Sequence, residues 1–259
     1  MNKRNIRKIS FKNKRFQLSL GTDDMNMNSL VPKDGKYEPW LTKYMELAST
    51  YYSSDKVAID IGANVGIITV VLAHLQSKGI VIAFEALSVM YEHLVQNVQK
   101  NKFINIITER QIVGYVDNQL KTIHVPFGDN VGGSFVSSEK VKNASHTEKV
   151  ATISLDTYLA KNNPNIAIKI LKVDVEGWET FVLRGARKTI EKHRPVVFIE
   201  LNVQERTLTV EKRGKALFDE IDALFEYLFL IERLSHSLIP IKSYSDLRGR
   251  TFCRRSPVL

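Results

Sequence analysis

The sequence lacks the features of disulfide-rich, zinc-binding and membrane-spanning proteins. Its 259 residues include one cysteine, Cys253, which has no second cysteine for an internal disulfide or a zinc knuckle. The best apolar stretch, residues 65–75, is interrupted by His74 and is too short for a transmembrane helix, which needs about 18 apolar residues. No apolar run follows the basic start, as it would in a secretory signal. We therefore expect a cytoplasmic protein.

Acidic residues are absent from the first 15 positions, which hold seven of the 37 basic residues of the chain. The other 30 basic residues nearly balance the 28 acidic ones, so the net charge of +9 comes mostly from one basic arm. Such an arm can bind nucleic acid, anionic lipid or acidic glycan, and it can also be a solvated terminus. Charge alone therefore names no partner.

Short apolar runs alternate with helical patterns from residue 57 onward. The runs are rich in β-branched residues at consecutive positions, which is typical of strands covered on both faces; they span residues 57–61, 80–84, 104–108, 168–173 and 195–201. This alternation predicts an α/β fold with a doubly wound, mostly parallel sheet. Ligands bind such sheets at the carboxyl ends of the strands.

Residues 1–54 are predicted to precede this core as a basic arm, a hairpin over residues 8–20 and a leader helix. The helix is indicated by an apolar stripe at helical spacing, formed by Trp40, Tyr44, Ala48 and Tyr51. Residues 55–259 then form one α/β domain, which agrees with the length of the chain.

Two further segments lie outside the alternating pattern. Residues 112–150 are predicted to form strands joined by a flexible loop near the ligand-binding edge of the sheet. Residues 229–234 and 251–254 are predicted to form a final antiparallel pair at one side of the sheet.

The strongest local signal is DIGANVG at residues 60–66, between the first core strand and the next helix. Its glycines let backbone amides approach a ligand, and the amino end of the helix favours electronegative groups. The turn lacks the third glycine of the dinucleotide-binding pattern G-x-G-x-x-G, which disfavours a dehydrogenase. Asp60 can instead hold the ammonium of an amino-acid-bearing cofactor such as S-adenosylmethionine (AdoMet).

Glu85, in AFEA, ends the second core strand 19 residues after Gly66. A carboxylate at that position can accept hydrogen bonds from both ribose hydroxyls of a nucleoside. A glutamate at a strand end is by itself more often a solvated cap. Its coupling to the glycine turn favours the ribose-binding role.

Acidic side chains follow the fourth and fifth core strands. KVDVEGWE places Asp174 and Glu176 after the fourth strand, and FIELN places Glu200 and Asn202 at the end of the fifth. Because parallel strands end at one edge of the sheet, we expect these groups to lie together. Clustered acids raise one pKa and can make a competent base. The alternative for these positions is a structural charge at a helix start or a strand exit.

Taken together, the motifs resemble those of FkbM-type AdoMet-dependent methyltransferases. The resemblance covers about residues 57–202 and rests on DIGANVG, AFEA, the pair Asn97 and Asn101, KVDVEGWE followed by Gly185, and PVVFIELN. It implies a class I methyltransferase (Rossmann-like) fold with a seven-stranded sheet in residues 55–259. It also implies O-methylation of a hydroxyl on a sugar, glycan or small natural product.

The resemblance further implies roles for individual residues. The cofactor-binding set would be Asp60, Gly62, Ala63, Asn64 and Gly66 for the methionine part, Glu85 and Ala86 for the ribose, and Gln111, Ile112 and Val113 for the adenine. The chain departs from the family at Ala86, where proline is usual, and at Trp178, where a small residue is common. Trp178 either narrows the acceptor pocket or packs in the core.

Methylation of a hydroxyl needs alignment of the reactants and a base that takes the proton. None of the six histidines falls at the carboxyl end of a core strand. The base is therefore assigned to the group Asp174, Glu176 and Glu200, and the acceptor-binding set is Tyr37, Glu38, Trp178 and Asn202. As an alternative, Asp174, Glu200 and Asn202 would hold Mg²⁺, which prefers oxygen ligands.

Two other functions stay open. An RNA ribose 2′-O-methyltransferase has the same fold and would use the basic arm, but no pair of lysines facing the acid cluster is identifiable. A non-catalytic AdoMet-binding or interaction module would keep its cofactor after mutation of Asp174 or Glu200. A small-molecule or glycan acceptor is favoured over nucleic acid.

Overall fold

Strands and helices alternate through most of the chain, as the apolar pattern predicts. The structure is a computed structural model and describes residues 6–20, 31, 34–53, 55–126, 133–137, 144–162, 166–200 and 208–247. In chain order its elements are β1 (Ile6–Phe11), β2 (Lys14–Ser19), α1 (Pro39–Tyr52), β3 (Val57–Ile61), α2 (Ile67–Leu75), β4 (Ile80–Phe84), α3 (Ser88–Lys100), β5 (Ile106–Glu109), β6 (Ile112–Val113), β7 (Leu120–Pro126), β8 (Phe135–Ser137), β9 (Ala144–Ile153), α4 (Leu155–Asn162), β10 (Ile168–Val173), α5 (Glu179–Gly185), α6 (Arg187–His193), β11 (Val196–Ile199), α7 (Leu208–Leu224), β12 (Leu228–Ile231), β13 (Leu238–Ile241) and a 3₁₀ turn (Tyr244–Leu247).

The central sheet is parallel and has the strand order β11–β10–β3–β4–β5. The chain therefore starts at the centre with β3, builds one side of the sheet, and then crosses back to build the other side. All five residues of β3 are buried, as expected for a strand that is covered on both faces. The order reverses between β3 and β10, and ligands bind beside such a reversal.

Helices cover both faces of this sheet. α1 packs on α2, whereas α4, α5, α6 and α7 pack on one another. The two groups lie on opposite faces, because right-handed crossovers on the two sides of β3 place their helices on different faces. The doubly wound parallel sheet agrees with the predicted α/β class. In the described part of the chain, no helix has the length and apolarity to span a bilayer.

The expected seven-stranded sheet is not what the described residues form. They contribute five strands to the central sheet, and β12 and β13 pair with each other as a separate antiparallel hairpin. β12 pairs with Leu238–Ile241, a strand that the apolar pattern did not predict. The predicted partner, residues 251–254, lies outside the described part. Pro240 disfavours a strand prediction for Leu238–Ile241, because proline is accepted in a strand only at an edge.

The segment after β5 builds a second sheet, with the order β6–β9–β7–β8. Strands were expected here. Of the predicted tip of the flexible loop, residues 130–134, the first three lie outside the described residues. Glu148 of β9 fixes this sheet to the start of α3, because its carboxylate accepts a hydrogen bond from the Ser88 amide at 3.1 Å. Arg110 lies 2.7 Å from the same carboxylate. The insertion is thereby held beside the end of β4.

Asn97 and Asn101 attach the N-terminal hairpin to α3. The Asn97 side chain accepts from the Ser19 amide at 2.6 Å and donates to the Ser19 and Val65 carbonyls at 3.0 and 2.8 Å. Asn101 accepts from the Gln17 amide at 2.9 Å and donates to its carbonyl at 2.8 Å. Four residues of helix rise about 6 Å, and two residues of strand span about 6.7 Å. The spacing of Asn97 and Asn101 along α3 therefore matches the spacing of Ser19 and Gln17 along β2. Their side-chain amides form the backbone hydrogen bonds that a neighbouring strand would otherwise form with β2.

We expect Asn97→Ala to lower the free energy of unfolding by about 3 kcal/mol, because it leaves buried groups of Ser19 and Val65 without partners at about 1 to 3 kcal/mol each. Urea unfolding followed by circular dichroism measures this loss. Asn101→Ala is the matched control, since its bonds lie at the surface, and it should cost about 1 kcal/mol or less. Equal losses in the two variants would show that the burial of Asn97 is not what matters.

Candidate active site

A cavity of about 1430 Å³ opens at the carboxyl ends of the parallel strands. Small-molecule sites typically occupy about 300 to 1,000 Å³, so a cofactor and an acceptor fit together. The cavity gathers most of the predicted site, namely Tyr37, Glu38, Gly62, Ala63, Asn64, Glu85, Ala86, Gln111, Ile112, Val113, Asp174, Glu176, Trp178 and Glu200. Asp60 and Gly66 do not line it, and Asn202 lies outside the described residues.

The glycine turn forms the floor of the cavity where β3 meets β10. The amides of Gly62 and Ala63 both donate to the carbonyl of Phe84, at 3.0 and 2.9 Å. Gly62 has φ +79°, and a Cβ added there would lie 1.8 Å from the carbonyl oxygen of Asp174. Glycine is required at this point because the two backbones touch. Asn64 follows at φ 53°, a left-handed conformation that asparagine tolerates.

Glu85 stands beside this turn, at the end of β4. One carboxylate oxygen accepts from the Asn64 amide and the other from the Leu87 amide, each at 2.8 Å. Desolvation raises the pKa of the Glu85 carboxyl, and those two amide bonds act against it. Each oxygen keeps a further lone pair that can accept a ribose hydroxyl. Ile112 and Val113, which are apolar and buried, lie nearby. The Glu85 carboxylate and these two side chains together fit an adenosine-containing cofactor.

Asp60 is placed differently from the expectation that it holds the cofactor ammonium. Its side chain is fully buried, accepts a hydrogen bond from the Thr69 hydroxyl at 2.7 Å and lies 3.3 Å from the Lys172 ammonium. The carboxylate therefore faces α2 and β10, and the geometry gives a cofactor contact no support. Gly66 caps α2, where an added Cβ would lie 2.6 Å from the side chain of Leu94. It serves the packing of α2 against α3.

Lys172 belongs to the site although no sequence signal assigns it a role. Its ammonium lies 3.1 Å from an Asp174 oxygen and 3.3 Å from Asp60, and it donates to the Gly62 carbonyl at 3.1 Å. The residue is 6% exposed. Desolvation lowers the pKa of Lys172, but the carboxylates of Asp174 and Asp60 outweigh it and raise the pKa above its ordinary value. The one feature of the sequence that could have drawn attention to Lys172 is the presence of a lysine within an apolar strand, two positions before Asp174.

Asp174 and Glu200 form a pair at the ends of β10 and β11. The negative charge of Asp174 raises the pKa of Glu200 to about 9, and burial, a hydrogen bond to Asp174 and the charges of Glu38 and Glu176 act in the same direction. At neutral pH Glu200 is therefore protonated, and the Lys172 ammonium, 3.1 Å from Asp174, favours the charged form of the Asp174 carboxyl. The expected gathering of acids from two strands is present for Asp174, Glu176 and Glu200.

Residues from both ends of the chain line the mouth of the cavity. The guanidinium of Arg233, after β12, lies 3.7 Å from Glu200 and 5.4 Å from the ring centre of Trp40 in α1. Glu38 and Glu176 both adopt left-handed φ values, 41° and 50°. Such strain persists where surrounding contacts impose it, and it is concentrated at functional sites.

Trp178 both packs and lines the cavity, which unites the two expectations for it. Its ring lies 3.9 Å from that of Phe181, centre to centre, and it is buried beside Gly114. The indole nitrogen has no hydrogen-bond partner among the described residues. This nitrogen is itself buried, so it lies within the packed wall and not at the cavity surface.

The magnesium alternative finds no support. Within the described residues, no group of three or more His, Cys, Asp and Glu side chains is arranged to hold a metal ion. Asp174 already faces the ammonium of Lys172 at 3.1 Å, and the third expected ligand, Asn202, is not described. The charge of Asp174 is thus balanced by a side chain of the protein.

The family model described as the methyltransferase FkbM domain matches residues 60–231, from the end of β3 through β12. The chain belongs to this family. The resemblance expected from the motifs is therefore confirmed, and the matched range includes every proposed site residue except Tyr37 and Glu38. AdoMet is the cofactor that membership supports. No curated protein matches the chain.

Solved structures that the chain matches include several methyltransferases. Methyltransferase FkbM from Methylobacillus flagellatus is 19% identical, with a TM-score of 0.43, and the match covers 68% of this chain and 39% of that one. TYW2 from M. jannaschii, solved in complex with AdoMet, is 22% identical with a TM-score of 0.31, covering 42% and 45%. A precorrin-6y C5,15-methyltransferase from Geobacter metallireducens is 13% identical with a TM-score of 0.42, covering 76% and 75%. The match thus spans less than half of the length of the first two.

Proposed function

We propose that the protein is an AdoMet-dependent O-methyltransferase that acts on a hydroxyl of a sugar, a glycan or a small natural product. The observation that carries the proposal is that Asp174, which lies 3.1 Å from the Lys172 ammonium and pairs with Glu200, lines the same cavity as the ribose-type carboxylate Glu85. Residues 55–259 form the methyltransferase domain in this proposal, and the cytoplasmic location stays a prediction.

The residues around the glycine turn would hold the cofactor. Gly62, Ala63 and Asn64 line the position of its methionine part, Glu85 and Ala86 lie at the ribose position, and the adenine is flanked by Gln111, Ile112 and Val113. When bound, AdoMet supplies a methyl group that is already activated by its sulfonium. What remains for the protein is to align the acceptor and to take its proton.

Asp174 is the proposed base. It receives the proton of the acceptor hydroxyl, a role that contributes about 10²- to 10⁴-fold in rate. Lys172 keeps it ionised, and the protonated Glu200 holds its orientation through the hydrogen bond between the two carboxyls. Glu176 lines the same wall, and Asn202 keeps its predicted role in positioning the acceptor. Alignment of the reactants contributes a further 7 to 11 kcal/mol or so.

The composition of the cavity mouth supports a hydroxyl-rich acceptor. The aromatic rings of Tyr37 and Trp40 lie there together with the carboxyl groups of Glu38 and Glu176. Carboxylates accept hydrogen bonds from adjacent hydroxyls, and aromatic rings cover the apolar faces of a sugar ring. Both kinds of group suit a carbohydrate.

Isothermal titration calorimetry with AdoMet and with its demethylated product tests the cofactor assignment. We expect heat with both, and no heat with either would reject the proposal. Incubation with methyl-labelled AdoMet and a fractionated cell extract then identifies the acceptor class. Label in a glycan or small molecule supports the proposal, whereas label in RNA supports the ribose 2′-O-methyltransferase.

The RNA alternative requires lysines that converge on the acid cluster. Among the described residues Lys172 is the only lysine paired with those acids, and it is buried. The described residues therefore show no convergence of several lysines on the acid cluster, which is the observation that would favour RNA. RNA binding that falls steeply with salt would reverse this preference.

The rate of methyl transfer should fall at alkaline pH, with a midpoint near pH 9. The pKa of Glu200 is raised from 4.5 to about 9, so the group is protonated at neutral pH and becomes charged as the pH passes 9. Two charged carboxylates then repel, and the hydrogen bond to Asp174 is lost. A pH–rate profile with the identified acceptor measures this. Glu200→Gln, which stays neutral, should lack the alkaline fall; an unchanged fall in this variant would assign it to another group.

A further inference from the structure

A basic face lies at the end of the molecule opposite to the cavity. It consists of four exposed cations and two exposed isoleucines, namely Lys8, Arg15, Lys100, Lys102, Ile6 and Ile104. α3 begins at Ser88, beside the cavity, and ends at Lys100, so the face lies about 18 Å away along the helix. The methyltransferase proposal uses none of these residues.

Hydrogen bonds and strand register make this face continuous. Lys8 stands opposite Gln17 in the β1–β2 register, and Arg15 is two positions from Gln17 on the same side of β2. The Asn101 side chain holds the backbone of Gln17 at 2.8 and 2.9 Å. Lys100 and Lys102 flank Asn101. Lys8 and Arg15 of the hairpin and Lys100 and Lys102 at the end of α3 therefore belong to one surface.

The charge of the basic face is not neutralised within the described part of the chain. None of its four cations has a described carboxylate within 4.0 Å, whereas Lys12, at the turn of the same hairpin, pairs with Glu46 at 2.5 Å. Ile6 is 47% exposed and Ile104 is 99% exposed. The face thus combines unneutralised positive charge with two exposed aliphatic side chains.

We infer that the basic face attaches the protein to an anionic lipid surface. Each lysine or arginine near such a surface strengthens binding about fivefold, and the two isoleucines can enter the boundary between headgroups and acyl chains. Nucleic acid is the weaker fit, because the face has no aromatic side chain on which bases stack. Phe103, between Lys102 and Ile104, packs inward against Phe16. Attachment by this face leaves the cavity open to its ligands.

Co-sedimentation with vesicles tests this inference on the full chain. We expect binding to phosphatidylcholine vesicles that contain about one third phosphatidylglycerol, and none to phosphatidylcholine alone. Binding should be lost at about 0.5 M salt, where charges are screened over about 4 Å. Lys100→Gln combined with Lys102→Gln should weaken it about 25-fold, and Ile104→Ser should weaken it further.

Lys161→Gln combined with Lys188→Gln is the matched control. Both lysines are exposed, and they lie on α4 and α6, on the other face of the central sheet. This pair should leave vesicle binding unchanged. The inference is overturned by equal losses in the two double variants, by equal binding to neutral and anionic vesicles, or by binding to single-stranded RNA without binding to vesicles. These outcomes are independent of AdoMet titrations, so each proposal can fail alone.

Discussion

Asp174→Asn should reduce methyl transfer by about 10²- to 10⁴-fold, the usual contribution of a placed base, while AdoMet affinity stays within several-fold. Asparagine preserves the shape of the side chain but cannot take a proton. The cofactor contacts come from other residues around Gly62 and Glu85, so binding should survive. Single-turnover rates with methyl-labelled AdoMet measure the first effect, and calorimetry measures the second.

Glu176→Gln is the matched comparison for this prediction. Glu176 lines the same cavity two residues later, but no ion pair with Lys172 is present, so its loss should slow transfer much less than the loss of Asp174. A larger loss for Glu176→Gln would move the role of base to Glu176. Full activity of Asp174→Asn would exclude Asp174 from the chemistry. Full AdoMet binding without any transfer in the wild type would instead favour the non-catalytic module.

Gly62→Ala should abolish AdoMet binding and lower the free energy of unfolding by about 3 kcal/mol or more. The added Cβ would lie 1.8 Å from the Asp174 carbonyl oxygen, and the backbone of Gly62 is at φ +79°. Both contacting groups are backbone, so relief requires β3 and β10 to separate at their carboxyl ends. That separation would displace the glycine turn and the base at once. Urea unfolding and calorimetry measure the two losses.

Gly177→Ala is the control for Gly62→Ala. It separates the steric clash of an added Cβ from the strain of a left-handed backbone. Gly177 also has positive φ, +96°, but an added Cβ there meets nothing within 4 Å. We expect it to cost only the strain of a left-handed alanine, about 1 to 2 kcal/mol. Similar losses for the two variants would show that the contact between Gly62 and Asp174 is unimportant.

Features that depend on neighbours in the chain were predictable. β3, β4 and β10 are consecutive apolar runs, and such runs read as strands covered on both faces. Glu85 could be placed because it ends β4 at a spacing that the ribose of a bound nucleoside requires. The shared location of Asp174 and Glu200 follows from the rule that parallel strands end at one edge.

Features that depend on contacts between distant segments were not predictable. Asp60 was expected in the cavity, but its carboxylate meets Thr69 and Lys172. A strand covered on both faces has no alternation of polar and apolar residues, so the pattern cannot tell which face a charged side chain takes. The pairing of β12 with β13 was missed for a related reason, because Pro240 reads locally as a break in a strand.

The sequence by itself determined the α/β class and the edge of the sheet where the cofactor is proposed to bind, because both follow from local periodicity, glycine spacing and strand ends. The family followed from the resemblance of its motifs. Only the tertiary structure decided the charge states of the site. Whether Asp174 or Glu200 carries the proton depends on an ammonium 3.1 Å from one of them and on carboxylates from separate strands. Electrostatic energies of this kind are set by distance and burial, and neither can be read along a chain.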